Sequence, residues 1–255
     1  MIKKLKFYFV LISNYVILYI SKLTPFRLYR NSGTNYHLAD NGMGSHEKYL
    51  KIILNNLEEG DIVFEIGLGY NSSSYIIKKV NNFQKSYSYH FENNLNWYNK
   101  ISAIKKTEKN KLIFVKNNYL EDLMYQLNKI DDNLLKLTFI DSSPWSSRTQ
   151  ALELLKDVSK ILIIHDSAYF PINNYWGTNL DDIKFNPKSR FWYGKLTKDD
   201  IGNRNYDDVF KYWIEFYPIY PGYYTGPPTL IGSNFFDVTL LFKNLDNELY
   251  LSHKK

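Results

Sequence analysis

The 255-residue chain contains no cysteine. That excludes disulfide bonds, thiolate metal sites and a cysteine nucleophile. It has no internal repeat and no low-complexity linker, so nothing divides it into several modules. It has no basic run either: the net charge is +6, but pairs such as Lys78-Lys79, Lys105-Lys106 and Lys254-Lys255 are dispersed. Scattered lysines describe a solvated face better than a nucleic-acid stripe, so a nucleic-acid partner is disfavoured. The apolar stretch Phe7–Ile20 is too short for the roughly 20 residues of a membrane span and is interrupted by Ser13-Asn14. No small-residue cleavage site follows it, which argues against a secretory signal peptide.

Two readings of residues 7–20 remain. The segment is a helix packed on the domain or on a second copy of the chain, or it attaches to a membrane surface with Lys3, Lys4 and Lys6 on the cytoplasmic side. The location expected from this is the cytoplasm or the cytoplasmic face of a membrane. Hydrophobic residues make up 44% of the chain, enough for one full core, with 23 Tyr and 16 Phe. The expected organisation is an apolar helix and linker over residues 1–41, then a single domain over 42–255.

The chain is organised around Asp61–Tyr75, DIVFEIGLGYNSSSY. A short apolar run reads as a buried parallel strand; Gly67 and Gly69 form a turn that a ligand can approach closely; Asn71 to Ser74 open a helix. A dinucleotide fingerprint needs a third glycine where Ser72 stands, which disfavours a nicotinamide-dependent oxidoreductase. Upstream, Ser45-His46-Glu47 reads as a helix start, followed by Tyr49, Leu50, Ile53, Leu54 and Leu57 at helical spacing. Downstream, strands are expected at Ser86–Phe91, Lys111–Val115, Leu135–Ile140 and Lys160–Ile164, with helices at Asn94–Ile104, Tyr119–Ile130 and Thr149–Val158. This alternation is the sign of βαβ units. Val209–Tyr217 and Asp237–Phe242 read as two closing strands. The fold class is therefore α/β: a Rossmann-like, seven-stranded, mostly parallel sheet with helices on both faces and an antiparallel last strand pair. Long irregular stretches at about 167–208 and 218–236 are expected on the acceptor side, and the tyrosines and prolines of 217–236 would suit an aromatic platform for a sugar ring.

The polar candidates stand at the carboxyl ends of these strands, where open α/β sheets bind ligands. Glu92 follows Gly69 at close to the roughly 20-residue interval at which an acid meets ribose hydroxyls. Asp141 and His165-Asp166 end neighbouring strands, so two carboxylates converge there; with Ser167 or water they would suit a divalent cation such as Mg²⁺. Without a metal, His165 or Asp166 would take a proton from an acceptor hydroxyl. His46 is a second base candidate, whereas His90, inside a strand, reads as a core histidine. Asp141 equally suits capping the next helix, and Arg148 is placed to pair with it or with an anionic acceptor.

The segments FEIGLGYNSSSYI, YSYHFENNLNWY, FIDSSPWSSR and IIHDS together resemble the successive motifs of class I S-adenosylmethionine (SAM)-dependent methyltransferases. Their order is similar to that of small glycan-associated, glucuronoxylan O-methyltransferase-like enzymes, over about residues 42–170. The resemblance implies that Glu65, Gly67, Gly69, Asn71 and Ser72 line the methionine end of SAM, that Glu92 holds the ribose, and that Asp141 faces the cofactor as well as the reaction. It implies O-methyl transfer to a sugar or glycan. The metal-dependent O-methyltransferases carry a further Asn or acid after the equivalent of Asp166, and this chain has Ser167 there. The other functional classes to weigh are a non-catalytic binding module on the same fold and a methyltransferase acting on RNA or a small molecule.

Overall fold

The computed structural model describes residues 46–101, 107–116, 118–130, 134–167, 206–217, 219–220, 224–225, 228–242 and 249–253. The apolar segment 7–20, the linker to residue 41, Ser45 and most of the 167–208 stretch lie outside them. Among the described residues no helix is long and apolar enough to cross a membrane.

Helix α1 (Glu47–Leu54) buries Tyr49, Leu50, Ile53 and Leu54, the stripe its apolar spacing predicts. It leads into β1 (Ile62–Ile66), α2 (Tyr70–Val80), β2 (Tyr87–Glu92), α3 (Leu95–Ile101), β3 (Asn110–Phe114), α4 (Tyr119–Leu127), β4 (Leu135–Ile140), α5 (Trp145–Leu155) and β5 (Ser159–His165). Beyond these come β6 (Tyr212–Tyr217), the short pair β7 (Ile219–Tyr220) and β8 (Tyr224–Thr225), β9 (Thr229–Ser233) and β10 (Leu249–Ser252). The main sheet runs β10-β6-β9-β5-β4-β1-β2-β3. Strands β1 to β5 pair in parallel, and β9 lies antiparallel between β5 and β6. This is the expected Rossmann-like seven-stranded sheet with its antiparallel closing pair, extended by β10 on the edge of β6.

The strand residues alternate between two cores, as period-2 geometry requires. Phe64 and Ile66 of β1 pack with Leu123 and Leu127 of α4 and with Leu152 and Leu155 of α5. Val63 packs on the other face with α1, with Ile76 and Val80 of α2, and with Phe139 and Ile163. The central parallel strands β1, β4 and β5 are buried on both faces, which is why they read as largely apolar runs.

Two sequence expectations are corrected here. The seventh strand is Thr229–Ser233, not Asp237–Phe242. Residues Val238–Leu241 form a 3-10 turn because Asp237 accepts from the Thr239 amide and caps it. Helix α5 begins at Trp145, one turn before the expected Thr149, because Pro144 supplies an extended N-cap and needs no amide bond. Of the expected aromatic platform, Pro221, Tyr223 and Pro227 lie outside the described residues, and β7 with β8 forms a separate two-stranded ribbon.

Candidate functional site

Strand β1 has β2 on one side and β4 on the other, so the loops leaving β1 and β4 diverge and open a crevice at their carboxyl ends. The cleft has a volume of about 470 Å³ and is lined by Leu68, Glu92, Asn93, Asn94, Trp97, Asp141, Ser143 and Pro144. Three strand ends, β1, β2 and β4, contribute to it.

The glycine turn is fixed by its neighbours. The Gly67 amide donates to the Phe91 carbonyl at 2.8 Å, and Asp141 N donates to the Ile66 carbonyl at 2.7 Å, so the ladder continues past the strand ends. Gly67 has φ +91°, and a Cβ there would stand 2.5 Å from the Asp141 carbonyl and 2.7 Å from Ser142 Cα. The need for glycine therefore comes from the β4 exit packed against the turn, and not only from close approach of a ligand. Gly69 caps α2 in extended conformation, and its amide donates to Ser73 Oγ at 3.1 Å. Ser72 is buried with no partner on its hydroxyl, and Asn71 stands in the first turn of the same helix.

Glu92 ends β2, and its carboxylate is latched to the turn. The Leu68 amide donates to Oε2 at 3.0 Å and the Asn94 amide to Oε1 at 2.8 Å. Burial raises its pKa, against the pull of those amides. The Trp97 indole donates to the Leu68 carbonyl, its ring meets that of Tyr70 edge-on at 5.0 Å, and Lys100 Nζ lies 5.1 Å from both ring centres. Asn93 spans the cleft: its Nδ2 donates to the Ser143 carbonyl at 2.8 Å, and Tyr119 OH donates to its Oδ1 at 3.2 Å. The sequence gives no distinctive signal for Asn93 beyond its place directly after Glu92.

Glu65 does not line the described cleft. It is fully buried in the middle of the sheet, where its Oε2 lies 2.5 Å from His90 Nδ1. His90 Nε2 meets Ser88 Oγ at 2.8 Å, and Ser88 donates to Asn110 Oδ1 at 2.6 Å, so His90 belongs to a polar chain inside the sheet. Period-2 alternation explains this, since Glu65 and His90 are register partners on one face. The other oxygen of Glu65 has no partner.

The second cluster lies where β4 and β5 end. Arg148, on α5, is buried, and its Nη2 donates to Asp141 Oδ1 at 2.8 Å. Its Nη1 donates to the His165 carbonyl at 2.6 Å and lies 3.4 Å from Asp166 Oδ2, while Nε donates to the Ser142 carbonyl at 2.6 Å. His165 sits between the same two acids, Nδ1 being 3.2 Å from Asp141 Oδ1 and Nε2 3.4 Å from Asp166 Oδ1. Asp166 adopts φ 58°, a left-handed turn that Asp tolerates better than most residues.

These charges set the proton affinities. Burial opposes ionisation of Asp141, but His165 and Arg148 outweigh it and hold the pKa at about 2. Burial likewise opposes a charged His165, and Asp166 with Asp141 overcome it, so its pKa is raised. Asp166 has the longer contacts and burial prevails, raising its pKa. His46, the N-cap of α1, packs its ring 4.5 Å from that of His165, and burial lowers its pKa to about 3.

The Asp141–Asp166 pair does not fit an oxygen-liking cation. The positive charge between the two carboxylates is already supplied by Arg148, and Ser167, the remaining oxygen donor, turns its hydroxyl to Glu215. Glu215 is buried in β6 and also accepts from Tyr206 OH at 2.6 Å. Because Ser167 and Glu215 are far apart in sequence, no local motif announces their contact.

No protein-family model matches the sequence, and no curated protein matches it. Among solved structures, the chain is similar to an O-methyltransferase from Bacillus cereus in complex with SAH, with TM-score 0.46 and 10% identity over 88% of this chain and 90% of that one. It is similar to the O-methyltransferase TomG from Streptomyces achromogenes in complex with SAM, with TM-score 0.43 and 10% identity over 76% and 88%. A putative rRNA-methylase from Clostridium thermocellum gives TM-score 0.41 and 14% identity over 75% and 93%.

Proposed function

We propose that this chain is a SAM-dependent methyltransferase that transfers a methyl group to a hydroxyl, with a sugar or glycan as acceptor. The observation that carries the reading is Glu92. A buried carboxylate at the end of the second strand, tied through the Leu68 amide to the glycine turn, keeps lone pairs on both oxygens for a ribose diol. The residues around it fit the rest of the cofactor. Trp97 offers an apolar ring at the cleft wall, and the unpartnered hydroxyl of Ser72 lies at the helix start behind the turn.

Bound there, SAM supplies a methyl group on a sulfonium centre. The chain's own part is to orient the acceptor oxygen and receive its proton. Among the three expected catalytic residues, we give the proton to Asp166, whose burial makes it a stronger base than an exposed carboxylate. His165 holds a proton between two acids, and Arg148 fixes the geometry of all three. Asp141, which lines the cleft, links this cluster to the cofactor. The preference for a sugar rests on the family resemblance of the motifs.

The test is calorimetry with SAM and NAD in separate titrations, followed by transfer of labelled methyl from SAM to a panel of sugars, glycans, small phenols and RNA. Saturable SAM binding with no NAD binding, and label in an alkali-stable ether on a sugar, are expected. Failure to bind SAM would overturn the reading, and label on RNA or a phenol alone would overturn the acceptor class.

A further inference from the structure

We propose that His46, Asp141 and His165 form a three-ligand site for a borderline divalent metal ion such as Zn²⁺ or Co²⁺. One ligand atom from each residue lies within 4.8 Å of the other two. The ligands come from three separate elements: the start of α1, the end of β4 and the end of β5. His46 is 4% exposed, yet neither of its ring nitrogens has a partner. Buried polar groups are nearly always satisfied, and an ion is one of the few explanations for an imidazole with two idle nitrogens. Its side chain makes no capping bond and its ring packs against those of His165 and Phe139, so turning toward an ion breaks no hydrogen bond.

The surroundings match what metal-bound histidines require. A ligating histidine usually gives its second nitrogen to a carboxylate, which fixes the ring. With Nδ1 of His165 on the Asp141 side, Nε2 faces Asp166 Oδ1 at 3.4 Å. Arg148 holds Asp141 through Oδ1 at 2.8 Å, which fixes the carboxylate in place. Tetrahedral ligands on bonds of about 2.0–2.1 Å stand about 3.4 Å apart, so the widest pair, within 4.8 Å here, closes by about 1.4 Å through side-chain rotation.

Two nitrogens and one oxygen select against Mg²⁺ and Ca²⁺, which take oxygen shells, and suit Zn²⁺, Co²⁺ or Fe²⁺. This is a different site from a cation between Asp141 and Asp166. Three protein ligands leave a position for water or an acceptor oxygen, and Asp141 brings the ion to the edge of the cleft. Binding is independent of methyl transfer and is read in the absence of SAM.

The experiment uses the full chain without an affinity tag, stripped with EDTA and desalted. Co²⁺ is titrated while visible absorption is followed, and Zn²⁺ is titrated by calorimetry. One equivalent with d–d bands of a low-coordinate site is expected, unaffected by millimolar Mg²⁺. His46→Ala should abolish the bands, with the variant's fold checked by circular dichroism in EDTA, where its melting temperature is lowered only by the packing lost against His165 and Phe139; if the alanine variant does not fold, His46→Gln carries the same expectation for the bands. Asp166→Asn should weaken binding about 10–100-fold. Absence of the bands in the parent chain, an unchanged spectrum in the His46 variant, or displacement of Co²⁺ by Mg²⁺ would each overturn the proposal.

Discussion

Arg148 donates to Asp141 across the mouth of the β4–β5 junction at 2.8 Å, and through its other nitrogens holds the carbonyls of Ser142 and His165. One buried side chain thereby ties together the exits of two neighbouring strands. Without it, Asp141 and Asp166 would confront each other with only His165 between them. Arg148→Met keeps the length and apolar stem but removes all four donations. It should destabilise the protein by about 3–5 kcal/mol at neutral pH, the usual cost of removing one partner of a buried ion pair. Urea unfolding measures this, and a loss below about 1 kcal/mol would mean that the cluster reorganises.

The same cluster sets an acid limb. The folded-state pKa of Asp141 is held at about 2, below its unfolded value, so its contribution to stability is present above about pH 4 and is lost as pH falls toward 2. With the chelator EDTA present, the loss attributable to this residue should be on the order of 2 kcal/mol. His165 has the opposite sign: its pKa is raised in the fold, so its contribution is present below about pH 6.5 and fades as pH climbs through the raised value. Denaturant midpoints between pH 2 and 9 should show both limbs, and Asp141→Asn should flatten the acid one.

Gly67 supplies a purely steric prediction. A methyl group at this position meets the Asp141 carbonyl carbon and oxygen at 2.5 Å, on a backbone with φ +91°. Both contacts are with backbone, which cannot swing aside as a long side chain would. Gly67→Ala should cost roughly 2–4 kcal/mol through strain and displacement of the β4 exit. Thermal unfolding checks it. A near-neutral change would place the value of this glycine in ligand approach alone.

The sequence was informative where chemistry and periodicity coincide. Strand β4 was readable to the residue because Leu135, Leu137, Phe139 and Ile140 make the stretch LKLTFI mostly apolar up to the polar Asp141. The strand-end positions of Glu92, Asp141 and His165-Asp166 followed from the same logic. What was not readable is the direction in which side chains point once strands are paired. Glu65 stands two residues before Gly67 in a motif, yet alternation along β1 turns it to His90. Of the two charges the sequence offered for the space between the acids, a divalent cation or Arg148, Arg148 stands there, because the α5 start at Trp145 brings it back over the strand ends. The seventh strand was displaced because Asp237 caps a turn, which competes locally with an extended strand.

Glu92 gives the most direct test of the cofactor reading. Both its oxygens already accept a backbone amide, so the carboxylate is held rigid before any ligand arrives. A ribose diol then meets an oriented acceptor and adds charge-assisted hydrogen bonds, each worth about 1.5–3 kcal/mol. Glu92→Ala should weaken SAM by that amount. Burial raises the pKa of Glu92 in the free protein, so protonation removes the acceptor at a pH above the usual glutamate range. SAM affinity should therefore be constant toward neutrality and fall as pH drops through that raised value. The alanine variant should bind weakly and without this limb. Calorimetric titrations of both proteins over pH 4 to 8 separate the two effects. A parent affinity flat across that range, or a loss in Glu92→Ala of only a few tenths of a kcal/mol, would remove Glu92 from the ribose site and leave it as the latch on Leu68.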